Sequence, residues 1–309
     1  MDVVYTYVDG GDQKWTDKKI NYMKSDLNSD INNIDSYTSN RFHSRNELKY
    51  SLRSLEKNLP FIRKIYIVTD NQKPDWLLEN HKLQIIDHKD IIDSKYLPTF
   101  NSHVIEANIH KIPNLSDVFL YMNDDIFIGK PMSESDFYNE DKVSVFLDTN
   151  YTKKGNPTTQ EYGYRSAWKN VNNWLDNNFK VERRKKMAHC PSVIYKSVMK
   201  TLWDKLYNEL ELTCTRRFRS ITDYSITCSL HPYYCLYKNK GYENNNINTK
   251  TLYLSSNIIK DSSSLDNLYE FVPHIFCLED DIHDSIEETD LIIRSFLEKC
   301  FPEPSSFEK

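Results

Sequence analysis

The chain has 309 residues, of which 39% are hydrophobic and 13% aromatic, enough for one large core or two small ones. Lys and Arg total 40 against 45 Asp and Glu, a formal charge of −5, so no basic excess exists to neutralise a nucleic-acid backbone. Met1-Asp2-Val3 has neither the basic nor the apolar stretch of a signal peptide, and no run of about 18 apolar residues predicts a transmembrane helix.

Asp2 to Val8 is β-branched and aromatic and predicts a first strand, closed by the turn Asp9-Gly10-Gly11-Asp12. Residues 16–42 are polar and predict a long loop with at most one short helix. Ser44 and Glu47 have the spacing of a capping box. Leu48, Leu52, Leu55 and Leu59 then form one helical face ending before Pro60, with Arg45 and Arg53 read as solvated. Lys64–Thr69 and Leu83–Ile86 predict two more strands. A helix follows with Ile105, Ile109 and Ile112 on its apolar face and Glu106 inside it, and Pro113 ends it.

Val118 to Met122 predicts a buried strand that stops at Asn123-Asp124-Asp125, before a second apolar run, Ile126 to Ile128. Adjacent carboxylates between apolar runs are costly to bury without a partner, although Asn and Asp are also ordinary turn formers. The order β, α, β, β, α, β predicts an α/β fold with a mostly parallel sheet and packed helices. Val143 to Leu147 predicts a further strand. Tyr151 to Tyr164 reads as a loop, and Arg165 to Phe179 as a helix. The basic run Arg183-Arg184-Lys185-Lys186 reads as a solvated helix face. Two helices, Tyr195 to Leu212 and Ile221 to Leu230, and a polar loop, Asn239 to Lys250, are expected next. Val272 to Leu278 predicts a late strand ending in Glu279-Asp280-Asp281, and Ser285 caps a final helix. The organisation expected is one domain over 1–309. It has a donor-binding α/β half (1–150), a mainly helical insertion (151–270), and a closing strand and helix (271–309).

Six cysteines, with no C-x-x-C pair and no zinc spacing, predict free thiols in a cytoplasmic protein. The two acidic turns at 123–125 and 279–281 could converge on one Mg²⁺ or Mn²⁺ ion that also holds a diphosphate. Arg clusters near 183 and at 216–219 could balance phosphate charge. His189, after a basic run and before Pro191, is the candidate general base, against the commoner reading of a structural histidine.

These residues resemble the Stealth family in four ordered blocks. The first is DVVYTYVDG at 2–10. The second runs from NELKYSLRSL at 46–55 through IYIVTDN at 65–71 and LPTFNS at 97–102 to FLYMNDD at 119–125. The third contains HCP at 189–191 and RSITD at 219–223, and the fourth CLEDD at 277–281 with FPEPSSFE at 301–308. The resemblance implies transfer of a sugar 1-phosphate from a UDP-sugar to a hydroxyl of a glycan or lipid-linked glycan, with release of UMP. It carries catalytic positions onto Asp125, His189, Arg219 and Asp280, with Asp125 and Asp280 as metal ligands. It makes Asp9, Gly10 and Asn123 part of the nucleotide pocket. A metal-dependent glycosyltransferase releasing UDP and a non-catalytic sugar-nucleotide module are the competing readings. Glu279 departs from the family, where Asn is frequent, and Tyr7 stands where Trp is. Peripheral contact with the inner membrane face through residues 183–186 is the alternative to a purely cytoplasmic location.

Overall fold

A computed structural model describes residues 1–26, 42–255, 257–280 and 286–309. In chain order, β1 (Asp2–Thr6) leads to α1 (Gln13–Asp26), α2 (Glu47–Asn58), β2 (Lys64–Thr69), β3 (Leu83–Asp87), α3 (Ser102–Asn108), β4 (Val118–Asn123) and β5 (Ile126–Ile128). Next come β6 (Tyr138–Asn139), β7 (Lys142–Val145), β8 (Leu147–Tyr151), α4 (Gly163–Asn178), β9 (Lys185–Met187), β10 (Ser192–Tyr195), α5 (Lys196–Lys205) and α6 (Tyr207–Cys214). A π-helical turn at Ile226–Leu230 runs into α7 (His231–Tyr237), followed by β11 (Gly241–Glu243), β12 (Thr249–Leu254), α8 (Ile258–Glu270), β13 (Ile275–Asp280) and α9 (Ile286–Cys300).

The central sheet has the order β10-β4-β1-β2-β3. β1 runs parallel to β2 and β4, β2 parallel to β3, and β10 lies antiparallel on the edge. The expected α/β architecture with a mostly parallel sheet is therefore the one adopted. Val3, Val4, Tyr5, Ile65, Ile67, Phe119 and Leu120 are all buried. Strands covered on both faces read as continuous apolar runs, which is why β1, β2 and β4 were legible.

The late strand lies elsewhere. β13 pairs with β5 and β12 in a separate three-stranded sheet, and β7 joins β6 and β11 in another. Neither extends the central sheet. β5 is the outer strand of its sheet, and α2 covers the side that β13 leaves open. Ser51 Oγ donates to Ile126 O at 2.5 Å, Ser54 Oγ accepts from Ile128 N at 3.0 Å, and Asn58 Nδ2 donates to Ile128 O at 2.6 Å. Ser51, Ser54 and Asn58 share one helical face and are buried. They replace the hydrogen bonds a neighbouring strand would supply, each worth about 1 kcal/mol net and more if left unmade. Leu48, Leu52, Leu55 and Leu59 fill the core on the adjacent face as expected.

Several local expectations change. α2 starts at Glu47, after Asn46 in the left-handed conformation with no side-chain cap, so the Ser44–Glu47 capping box does not form. Glu47 Oε2 accepts instead from the Arg45 backbone N–H at 2.6 Å. Arg45 and Arg53 are buried rather than solvated. Residues 13–26 form a helix, and 27–41 lie outside the described residues, as does the Ser285 cap. The single helix expected over 195–212 is β10, α5 and α6, because Val193, Ile194 and Tyr195 pair with β4. Residues 221–225 stay non-helical because the Asp223 carboxylate is committed to Ser220 N and Asn101 Nδ2. The polar stretch 239–250 contains β11 and the start of β12, and α8 has no counterpart in the sequence reading. The basic run at 183–186 is not a helix face. Arg184 is buried against Asp176 at 2.7 Å, and Lys185 and Lys186 belong to β9. All six cysteines are free thiols, and among the described residues no helix is long and apolar enough to cross a membrane.

Candidate active site

The C-terminal ends of the parallel strands β1, β2 and β4 lie side by side, the edge where α/β sheets hold ligands. Thr6 at the end of β1 pairs with Asn123 at the end of β4. Asn123 is exposed, and its Oδ1 accepts from Tyr121 Oη at 3.0 Å and Thr6 Oγ1 at 3.5 Å. The neighbouring turn carries Asp9 and Gly10. Gln72 grips Asp9 through both its backbone N–H (3.0 Å) and its carbonyl (2.8 Å), while Asp9 Oδ1 accepts from Gly11 N. A Cβ on Gly10 would sit 2.4 Å from the Phe42 carbonyl oxygen, so only glycine fits that close approach.

The two acidic turns meet. β5 pairs with β13 from Ile275 to Cys277, and just beyond it Leu278 N donates to the Asp125 carbonyl at 3.1 Å. His189 reaches the same corner from a third element. Ser192 faces Tyr121 in the antiparallel β10–β4 pairing, and His189 lies three residues before it, beside the 123–125 turn. His189 Nδ1 is 3.0 Å from Glu279 Oε2, an ion pair in which both side chains are partly exposed.

The electrostatics are those of crowded carboxylates. Burial pushes Asp125 up to about 7; His189 opposes the shift, and Glu279 and Glu47 reinforce it. Burial, Asp125 and Glu47 raise Asp124 well above the carboxylate range. For His189 burial favours the neutral ring, but Glu279, Asp125 and Asp148 outweigh it and raise its pKa. Asp125 Oδ1 is buried with no hydrogen-bond partner among the described residues. A buried carboxylate oxygen left open in this way suits a hard divalent cation. Asp280 follows Glu279 at the end of β13, but its side chain and all of Asp281 lie outside the described residues. Among the described residues no three His, Cys, Asp or Glu side chains surround a common metal position.

Arg219 sits on a separate loop, on the Tyr121 side of the strand ends. Its Nη2 donates to Ser102 Oγ at 3.0 Å, and its charge is felt by Tyr121 and Cys228. Asn101 and Asp223 hold the two loops together, through Asn101 Nδ2 to Asp223 Oδ2 at 2.8 Å and to the Phe218 carbonyl at 3.2 Å. Thus LPTFNS and RSITD are halves of one brace that aims Arg219. Sequence reasoning placed Glu279 in the second acidic turn and noted it as a departure from the family, read Glu47 only as part of a capping box, and did not single out Asp148. Their proximity to His189 and Asp125 spans up to 154 residues of chain (279 − 125), a separation no local pattern reports.

Residues 41–146 match Stealth protein conserved region 2, and residues 188–236 match conserved region 3. The capsular polysaccharide phosphotransferase fcs1 of Haemophilus influenzae is 39% identical over 75% of the chain and 64% of its own length. The exopolysaccharide phosphotransferase SCO6023 of Streptomyces coelicolor is 34% identical over the whole chain and 52% of its own length. The capsular polysaccharide phosphotransferase SacB of Neisseria meningitidis serogroup A is 32% identical over the whole chain and 57% of its own length. The chain thus spans between half and two thirds of these relatives. Among solved structures, the galactosyltransferase LgtC superposes over 99% of this chain and 98% of its own with a TM-score of 0.47 and 8% identity, too loosely to transfer residues.

Proposed function

The chain belongs to the Stealth family, and from that membership and the geometry of the acidic corner we propose that it transfers a sugar 1-phosphate, of an N-acetylhexosamine, from a UDP-sugar to a glycan hydroxyl. The observation that carries this reading is the His189–Glu279 pair, 3.0 Å apart beside Asp125 at the ends of the parallel strands. With Nδ1 facing the Glu279 carboxylate at ion-pair distance, Nε2 is the nitrogen left to take a proton from the acceptor hydroxyl. The acceptor oxygen attacks the phosphorus that bears the sugar. The bond from that phosphorus to the bridging oxygen breaks, and its electron pair leaves with UMP. No bond at the anomeric carbon changes, so the donor's anomeric configuration persists in the phosphodiester.

Arg219 supplies positive charge to the transferring group, since positioning and electrostatics dominate phosphoryl transfer. Asp9, Gly10 and Asn123 shape the uridine side. Asp125 and Asp280 would hold a Mg²⁺ or Mn²⁺ ion, which when bound neutralises diphosphate oxygens as a Lewis acid. The acceptor is a glycan or lipid-linked glycan of a capsule or exopolysaccharide. Incubation with a panel of UDP-sugars, Mg²⁺ and an acceptor glycan tests the reaction class. UMP release is expected. UDP release would assign attack to the sugar carbon instead, and turnover retained in His189→Ala would reduce that residue to a structural part.

A further inference from the structure

Aromatic side chains extend outward from His189. The His189 ring meets Tyr253 edge-on at 6.5 Å, and Tyr253 is 62% exposed. Tyr253 lies within electrostatic reach of Tyr164. Tyr164 stacks on Tyr162 at 5.7 Å and meets Trp168 edge-on at 5.0 Å. These rings come from the entry and first turns of α4, while β9 runs beside them and leads to His189. Lys186 of β9 sits over Trp168 at 5.3 Å, so the wall is attached to the chain segment that delivers the candidate base.

Cations alternate with these rings. Arg165 lies over Tyr162 at 5.0 Å and Tyr164 at 5.6 Å, and Arg183 lies over Tyr151 at 4.5 Å. Nearby Arg184 and Lys185 are paired with Asp176 and Glu243. Among the described residues no carboxylate lies within ion-pair range of Arg165, Arg183 or Lys186. Tyr151 and Tyr162 are 44% and 49% exposed, too open to be core. Exposed aromatic faces offer flat apolar surface to the C–H faces of sugar rings, and unpaired cations between them suit anions spaced along the same chain. In a protein of net charge −5, a local strip of this kind selects where a polyanion can approach.

We infer that this wall, from Tyr253 through Tyr162 and Trp168 to Lys186 and Arg183, is an acceptor subsite for a phosphodiester-bridged sugar chain. Rings take the sugars and cations take the phosphates, and the chain's terminal hydroxyl reaches His189. The inference rests on the phosphotransfer reading for the identity of its ligand. A neutral glycan would use the rings alone and leave the three cations without an anionic partner.

The test titrates the full chain with a hexamer of phosphodiester-linked N-acetylhexosamine, and with a glycosidically linked hexamer of the same sugar, at low and high salt. Wild type is expected to bind the phosphodiester hexamer more tightly, with affinity falling as salt rises. Tyr162→Ala with Tyr253→Ala is expected to weaken that binding about tenfold or more. Arg183→Gln with Lys186→Gln is expected to weaken it similarly and flatten its salt dependence. Both pairs are chosen partly for exposure, and an unchanged melting temperature verifies the fold; if the aromatic pair melts lower, the charge pair decides. Equal binding of the neutral hexamer, or no loss in the charge pair, overturns the inference. The UMP assay separates the two readings. UMP release with wall-independent binding removes the subsite alone. Wall-dependent binding with no UMP from any donor removes the phosphotransfer reading and keeps the surface.

Discussion

Glu308 and Asp125 are two carboxylates withdrawn from water within contact range of the same helix, α2, and the protein treats them in opposite ways. Glu308 is enclosed by donors. Arg53 Nε and Nη2 clamp it at 2.8 and 2.9 Å, Lys49 approaches to 3.2 Å, and Ser305 contributes its N–H and hydroxyl. Burial alone would raise its pKa, but these partners hold it down at about 2. Asp125 has one buried oxygen with no hydrogen-bond partner among the described residues, lies near Glu279 and Glu47, and sits at about 7. Arg53 also donates to the Phe301 carbonyl at 2.7 Å, so the first region is a clasp joining α2 to the C-terminal tail. The second is a corner left short of compensating charge. A buried carboxylate that is fully paired stabilises the fold, whereas one left open stores unfavourable energy that a ligand can relieve.

The comparison breaks most visibly at Asp125. Asp125→Asn keeps the shape and removes the charge, and is expected to lower turnover by about 10³-fold or more. Melted in the presence of a chelator, the same variant should gain about 2–4 °C, since an uncompensated carboxylate is gone. A loss of stability would place Asp125 with Glu308 instead. Arg53→Met tests the clasp. Leaving Glu308 buried without its main partner should cost about 3–5 kcal/mol in denaturant unfolding. A loss below about 1 kcal/mol would show the pair to be a weak surface bridge.

Glu279→Gln is expected to lower kcat about 10–100-fold, with KM for the donor little changed, because it orients the His189 ring without touching the nucleotide. A change confined to KM would move Glu279 to donor binding. Acid sensitivity sharpens the contrast further. Burial lowers His88 to about 4 and His110 and His231 to about 3, so the unfolded chain takes up protons before the folded one. Their contribution is complete above about pH 6.5 and declines toward about pH 3–4. The Glu308 contribution is complete above its ordinary value near 4.5 and is lost as pH falls through about 2. Stability measured from pH 7 to 2 should therefore fall in two overlapping steps, and Arg53→Met should diminish the lower one. The smallest effect is expected from Ser102→Ala. Losing the 3.0 Å bond to Arg219 should cost about 1 kcal/mol of transition-state binding, roughly fivefold in kcat/KM, with stability unchanged.

What the sequence by itself determined is local. Continuous apolar runs marked β1, β2 and β4, leucine spacing marked α2, and the turns at 9–12 and 123–125 were visible as breaks in those runs. The four motif blocks were legible too, but not the reason for each. Ser51, Ser54 and Asn58 are there to satisfy the open side of β5, and LPTFNS and RSITD are there to grip each other. Where long-range pairing competed with local preference, pairing won. Tyr195 became a strand residue opposite Val118, and β13 joined β5 rather than the central sheet. Only the tertiary structure decided which carboxylates are paired and which are left open. Asp125, His189 and Glu279 come from three distant segments, and a carboxylate's proton affinity depends on what lies within a few ångströms of it, which strand register sets and residue order does not.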